Sequence, residues 1–418
     1  MNALEALAER KLSSLQPPLA VQLPGGRRLG PDPAAVQLDI REPRAVAHLA
    51  AGHIGRVAED YVEGRVDIRG ALRDVIRIGV QLLESDPTQT GRRSPLQQWW
   101  RDMVRGSRSL ARHTPEADRR QIEFHYDVSD DFYALWLDPL RVYSCAYFAD
   151  PAMTLAQAQQ AKLDLVCRKL MLRPGQRFLD IGAGWGGLLL WAAEHYGVEA
   201  LGITLSKNQH AHVSRLIDER GLAGRVQVQL LDYRELPEDR PFDRIASIGM
   251  FEHVGRARLP TYFDKIRRLL APGGLLMNHG ITAGGTTHDQ LGAGIGDFVE
   301  RYIFPGGELL HVSHVLQVMA EQGLEMVDTE NLRPHYARTL WAWSDGLEAN
   351  LPQARQVAGE RVVRAYRMYL AGSAVGFEQG WMALHQMLAI RPDGDVARGP
   401  MRGAQSDYPF NRRHVYTP

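Results

Sequence analysis

The chain has 418 residues and carries 49 basic and 49 acidic side chains, so it has room for two or three domains and no net charge to steer it toward nucleic acid. Its two cysteines, Cys145 and Cys167, are too few for a disulfide framework and fit a reducing cytosol. No apolar run approaches the roughly 18 residues of a membrane span, and the start lacks the apolar core of a signal peptide. A soluble cytoplasmic protein is expected, and no metal site is predicted.

Residues 1–85 read as a small module. It opens with a short amphipathic helix (Leu4, Leu7, Leu12 and Leu15 near one face) and carries turn signals at Pro24-Gly25-Gly26 and Gly30-Pro31-Asp32-Pro33. Residues 86–118 read as a linker with an arginine-rich helix. Arg101, Arg105, Arg108 and Arg112 align in one stripe behind Trp99 and Trp100, either a solvated face or a phosphate-facing patch.

From 119 to 391 the punctuation alternates between strand and helix. Thr154 and Gln157 form a capping-box pair opening a helix that runs toward Leu172, stopped by Pro174-Gly175. Strands are expected at Arg177–Gly182, Val198–Thr204, Val226–Asp232, Phe242–Gly249 and Gly274–Ile281, with helices such as Asn208–Arg220 and Leu259–Leu270 between them. That rhythm predicts an α/β domain built on a parallel sheet covered on both faces. Residues 392–418, rich in Gly, Arg and Pro, read as a tail.

Asp180-Ile-Gly182-Ala-Gly184-Trp-Gly-Gly follows a strand and opens a helix, where glycines allow close backbone approach and a helix N-terminus offers N–H groups. The spacing differs from the dinucleotide fingerprint and matches the loop of class I S-adenosylmethionine (SAM) methyltransferases better. Asp232, ending the third strand, then stands where such enzymes often bond the adenine amino group. The second strand ends in Gly202-Ile-Thr204 without the usual acidic residue, so Thr204 or Gln209 must meet the ribose.

Phe124, Tyr126, Phe132, Tyr133, Trp136, Tyr143, Tyr147 and Phe148 crowd into one short segment, far above the chain's 8% aromatic content. Ordinary core packing is a strained explanation for them, since aromatic faces attract cations such as a sulfonium. Within that segment Cys145 is a nucleophile, a small buried residue or a backbone donor; with no adjacent base the nucleophile ranks lowest. Glu252 and His279 sit at the carboxyl ends of adjacent strands, the crevice edge of an open α/β sheet, and form a candidate catalytic pair.

Seven separated motifs agree in order with one family. They are His125-Tyr-Asp-Val-Ser, Tyr143-Ser-Cys-Ala-Tyr-Phe, Leu179-Asp-Ile-Gly-Ala-Gly-Trp-Gly-Gly, Gly202-Ile-Thr-Leu-Ser-Lys-Asn-Gln, Phe251-Glu-His-Val-Gly, Tyr302-Ile-Phe-Pro-Gly-Gly and Pro334-His-Tyr-Ala-Arg-Thr-Leu340. Through them the chain resembles the cyclopropane-fatty-acyl-phospholipid synthases and the related mycolic acid cyclopropane synthases. Ala183 stands where many relatives carry Cys.

The resemblance implies a class I SAM-methyltransferase (Rossmann-like) catalytic domain behind a smaller N-terminal α/β, lipid-binding domain. It also implies that the SAM methyl carbon adds across a cis double bond of a phospholipid acyl chain, and that proton loss closes a cyclopropane ring. The implied base is a bicarbonate ion caged by the backbone of Cys145 and Ile281 and the side chains of Glu252, His279 and Tyr336. Implied SAM contacts are Tyr143, Ser144, Gly182, Gly184, Thr204, Leu205, Gln209, Tyr233 and Arg234. The implied partners are unsaturated phospholipid in the bilayer, met by peripheral contact at the inner membrane face, and a second copy in a homodimer, with no nucleic acid. The alternative is a fatty-acyl or small-molecule methyltransferase of the same fold.

Overall fold

Among the described residues, eleven strands pair into two separate sheets. The structure, a computed structural model, describes residues 3–83, 87–88, 130–286, 291–303, 308–392, 408–409 and 411–416. The linker with its Arg101, Arg105, Arg108 and Arg112 stripe, the His125 motif, and Phe124 and Tyr126 lie outside the described residues.

The chain divides into two units, the first drawn from Met1–Arg92, Thr287–Pro305 and Leu340–Trp381. Its sheet contains β1 (Leu19–Gln22), β2 (Arg28–Leu29), β3 (Val36–Ile40) and β4 (Val66–Arg69) in the order β2-β1-β3-β4, with β1 parallel to β3. β3 alternates strictly, so Val36, Leu38 and Ile40 enter the core with Leu19, Val21, Ile78 and Leu82 while Gln37 and Asp39 face away. The long helix Glu360–Glu378 packs on the helices Ile54–Val62 and Leu72–Leu82 of the same unit. There Arg364 pairs with Asp67 and Glu360, both at 2.7 Å, and Arg367 grips both oxygens of Glu348 at 2.6 and 2.8 Å.

The second unit holds β5 (Arg177–Ile181), β6 (Glu199–Thr204), β7 (Val226–Leu230), β8 (Phe242–Ile248), β9 (Leu270–Ala283), β10 (Glu325–Asn331) and β11 (Met382–Ile390). Their order is β10-β11-β9-β8-β5-β6-β7. β5 through β9 run parallel, and β11 is antiparallel to both its neighbours. This is a Rossmann-like sheet of the class I methyltransferase type with one reversed strand.

Both faces of the sheet are covered. In β5, Phe178 packs under the helices Leu155–Lys169 and Gly187–Tyr196, while Leu179 and Ile181 pack against the helices Leu259–Leu269 and Val312–Glu321. Each buried Leu or Ile contributes about 1.5–3 kcal/mol on such a surface. The capping box forms as the residue types predict. Gln157 N–H donates to Thr154 Oγ1 at 3.3 Å, and Thr154 N–H donates to Gln157 Oε1 at 2.9 Å.

Two elements depart from the sequence expectation of a parallel sheet. β11 is a continuous buried run without alternation, which periodicity cannot tell from a buried helix. β10 is an edge strand with no buried face and shows no pattern. The last described helix, Arg413–Tyr416, packs on Leu155–Lys169, and Tyr408 enters the core beside Leu388 and Ile390, so that part of the tail is structured. No helix among the described residues is long and apolar enough to cross a membrane.

Candidate active site

The loop after β5 is shaped by close approach. Gly182 sits at φ +78°, and a Cβ there would stand 2.7 Å from Met250 Cγ. The left-handed Gly186 then opens the helix Gly187–Tyr196. Asp180, one step back on β5, is fully buried, and burial pushes its carboxyl up to about 7 against the pull of the Lys162 ammonium.

The neighbouring strand ends are already engaged. Thr204 Oγ1 donates to Gln209 Oε1 at 2.8 Å and accepts from Ser206 N–H at 3.1 Å. The Asp232 carboxylate caps the turn Tyr233–Glu235 and holds the Arg234 side chain at 2.6 and 2.8 Å, while Tyr233 stacks edge-on against Tyr262.

Segment 138–148 is a built strap. Asp138 accepts from the N–H groups of Leu140 and Val142, both at 2.9 Å, which turns the chain into Tyr143-Ser-Cys. From the helix Leu155–Lys169, Gln159 Nε2 donates to the carbonyls of Val142 and Ser144, and Lys162 Nζ donates to Ser144 Oγ at 2.7 Å. Lys162 is only 1% exposed, and burial pulls its ammonium down to about 8 despite nearby Cys145, Asp138 and Asp180.

The strap is pinned from the other side by the start of the helix Arg333–Ala349. Ala146 N–H donates to Thr339 Oγ1 at 3.0 Å and Phe148 N–H to His335 Nδ1 at 3.0 Å, and the same helix carries the buried Tyr336. The Cys145 thiol donates to the Ala146 carbonyl and, more weakly, to Leu332. Burial raises its pKa far above the ordinary thiol range, so Cys145 is not a nucleophile at neutral pH.

Among the described rings of the aromatic cluster, Phe132 meets Tyr133 and Trp136 edge-on at 6.0 Å, Tyr133 and Trp136 lie tilted at 5.5 Å, and all three are buried. The Phe148 ring is covered by the Arg338 guanidinium at 4.1 Å and Tyr147 by the His335 ring at 4.7 Å. Tyr143, half-buried and 5.4 Å from both Tyr133 and Trp136, is the ring at the cluster's edge.

Glu252 follows β8 on the one-turn helix Phe251–Val254, and His279 lies on β9. Glu252 Oε1 accepts from Ile281 N–H at 2.6 Å, so that amide reaches the site through the carboxylate. Gly280, between His279 and Ile281, has no room for a side chain: a Cβ would meet Phe251 at 2.4 Å and Glu252 Oε1 at 2.6 Å. Burial raises Glu252 to about 7 and, helped by Lys162 and Lys169, drives His279 well below its ordinary value. Glu252 Oε2 and His279 Nε2 are buried and have no hydrogen-bond partner among the described residues.

The structure bonds the strap that carries Cys145 to the helix that carries Tyr336, bonds Glu252 to the Ile281 amide, and places His279 two residues before Ile281 on β9. Asp180, Gly182, Gly184, Thr204, Leu205 and Gln209 line the ends of β5 and β6, with Asp232, Tyr233 and Arg234 just beyond β7. Sequence reasoning passed over Lys162, Lys169, Gln159 and Gln386. A signal existed: Lys162 and Lys169 are seven residues apart and fall on the buried stripe of Ala158, Leu165 and Val166, where a solvated lysine does not belong.

Over residues 113–387 the chain matches the mycolic acid cyclopropane synthetase family. A probable fatty acid methyltransferase of Pseudomonas putida is 42% identical over 97% of this chain and 98% of its own length. Cyclopropane mycolic acid synthase 1 of Mycobacterium tuberculosis is 40% identical over 63% of this chain and 94% of its own length. A solved mycolic acid cyclopropane synthase, complexed with SAH and CTAB, shares 39% identity at a TM-score of 0.62, covering 65% of this chain and 98% of that one. Coclaurine N-methyltransferase, at 21% identity, has the same TM-score of 0.62 and shares the fold.

Proposed function

The chain belongs to the mycolic acid cyclopropane synthetase family, and from that premise we propose that it joins the methyl carbon of SAM to a cis double bond in a phospholipid acyl chain and closes a cyclopropane ring. The observation that carries this reading is that Glu252 Oε2 and His279 Nε2, at the ends of adjacent strands, are both buried without partners among the described residues. A buried polar atom left unpaired costs about 1–3 kcal/mol, so the pair is built for a guest.

The residues fit both implied guests. For SAM, the tight loop at Gly182, the Gln209 amide, Asp232 and the half-buried Tyr143 offer backbone approach, hydrogen bonds and an aromatic face. Once bound, SAM supplies an electrophilic methyl group next to a positive sulfur. For bicarbonate, Glu252 is the fitting partner. Burial raises its pKa to about 7, Oε1 accepts from Ile281 N–H, and a proton on Oε2 would make that atom a donor. Such a donor suits the acceptor oxygens of a small anion. Tyr336 and the Cys145 backbone complete the enclosure. A bicarbonate held there would supply a base, and a water-poor pocket would keep water from adding to the alkylated chain.

A second reading is favoured by one observation. The fatty acid methyltransferase of Pseudomonas putida aligns with nearly the whole chain, whereas the mycolic acid synthase aligns with 63% of it. That reading keeps the methyl transfer and ends in a methyl-branched or methylene-bearing chain. Both are tested by incubating the protein and SAM with vesicles of unsaturated phospholipid. An acyl mass raised by one CH2 with loss of olefinic proton signals supports the ring. The same mass with an olefin retained supports the second reading, and unchanged acyl chains overturn both. The membrane surface at the inner face is the proposed source of substrate. Co-sedimentation of the protein with anionic vesicles at low salt checks it, and a protein that stays in the supernatant argues against it.

A further inference from the structure

We infer that Lys169 and Gln386 fix His279 in the tautomer that carries its proton on Nε2, so that His279 offers the site a neutral N–H donor and is not the base. The assignment of the proton follows from a row of side chains in register across three strands. Glu330 on β10 stands opposite Gln386 on β11, which stands opposite His279 on β9. Lys169, fully buried at the end of the helix Leu155–Lys169, reaches into this row, with Nζ 2.5 Å from Glu330 Oε2 and 2.8 Å from Gln386 Oε1.

The chain of deductions starts at the lysine because its ammonium has hydrogens to give and no lone pair to offer. The Gln386 atom facing it must therefore be the amide oxygen. That turns the amide NH2 toward His279 Nδ1, 3.2 Å away. An NH2 group only donates, so Nδ1 must be the accepting, unprotonated nitrogen, and a neutral ring then has its hydrogen on Nε2. Nε2 is the buried atom with no partner among the described residues. The doubly protonated ring is disfavoured twice, by N–H facing N–H at Nδ1 and by two buried ammonium groups, Lys162 and Lys169.

The geometry assigns a division of labour to the pocket. Lys169 and Gln386 are positioning residues that never touch substrate. His279 Nε2–H would hold an acceptor oxygen of a small anion, and that anion would supply the base. The role, though not the tautomer, rests on the function proposed above.

The experiment uses the full chain with 15N-labelled histidine and reads long-range proton–nitrogen correlations, with the His279 signals identified by their loss in His279→Asn. The wild type is expected to show the Nε2–H pattern at neutral pH. In Gln386→Glu, a side chain that only accepts faces Nδ1, and the pattern should shift to a protonated Nδ1. Lys169→Met should give mixed tautomers, and Lys169→Arg should restore the wild-type pattern. Turnover should fall about tenfold or more in Gln386→Glu while SAM affinity by calorimetry stays within about twofold, as expected for a group acting on the base. A wild-type ring protonated on Nδ1, or one unaltered in Gln386→Glu, overturns the inference. Should Gln386→Glu fail to fold, the wild-type spectrum alone decides. If the wild type turns over no acyl substrate, the proposed function falls while the ring spectrum still decides the tautomer.

Discussion

Two clusters of charge in this protein are solved in opposite ways. In the first unit, burial works against the charge of Arg367, yet the bidentate Glu348 and the Tyr61 hydroxyl outweigh it, and its pKa lies above the ordinary value. Arg364, held by Glu360 and Asp67, behaves alike. In the second unit four buried groups are pushed toward neutrality. Asp180 and Glu252 rise to about 7, Lys162 falls to about 8 and His279 falls well below its usual range. The arginines of the first unit have carboxylate partners, whereas Asp180, Glu252 and Lys162 are buried with pKa values near neutrality, the pattern expected of groups that do chemistry.

The most direct way to break that contrast is Glu252→Gln. Turnover should fall by about 10²–10⁴, the usual range for a group that sets up proton transfer, while SAM affinity is kept. Equal losses in both would make Glu252 a structural residue. Next comes Lys162→Met, which removes the donor behind Ser144 and the charge facing Asp180. It should weaken SAM binding by about tenfold, the scale of one hydrogen bond to a charged group, measured by calorimetry.

The first unit should respond differently. Arg367→Met leaves Glu348 without its bidentate partner and should cost on the order of 1–3 kcal/mol of unfolding free energy in denaturant titrations, with SAM affinity unchanged. A last test is the pH dependence of stability. The folded chain holds the Glu252 proton more tightly than the unfolded chain, whose pKa is near 4.5, so stability declines as pH rises from there toward about 7, with Asp180 adding the same sign. Lys162 works the other way above about 8, because there the unfolded chain binds the extra proton until its own pKa near 10.5. A trough between about 7 and 8 is expected, and Glu252→Gln should make its acidic side less steep, with Asp180 keeping the rest.

Much of the second unit was legible because its signals are local. The Thr154–Gln157 box, the glycine loop after Arg177–Ile181 and the strand-end Glu252 each need only their neighbours in sequence. The aromatic segment misled because composition cannot distinguish rings that face a guest from rings that face one another. Lys162 and Lys169 were invisible for a related reason: lysine ordinarily marks solvent, and only the stripe they share with Leu165 and Val166 betrays them. Gln386 could not be found at all, since its meaning depends on a register with His279, 107 positions away in the chain. Nor could any periodicity show that Leu340–Trp381 folds into the same unit as the N-terminal segment.

β11 arrives late in the chain yet lies inside the sheet, between β9 and β10. During synthesis, the open edge of β9 must wait for nearly four hundred residues to emerge before it is covered, and an uncovered edge is where nascent chains misassociate. Gln386 travels on that late strand. A nascent or truncated chain that ends before Met382 could build the glycine loop and still lack the residue that orients His279. Cofactor-binding competence would then come off the ribosome ahead of chemical competence.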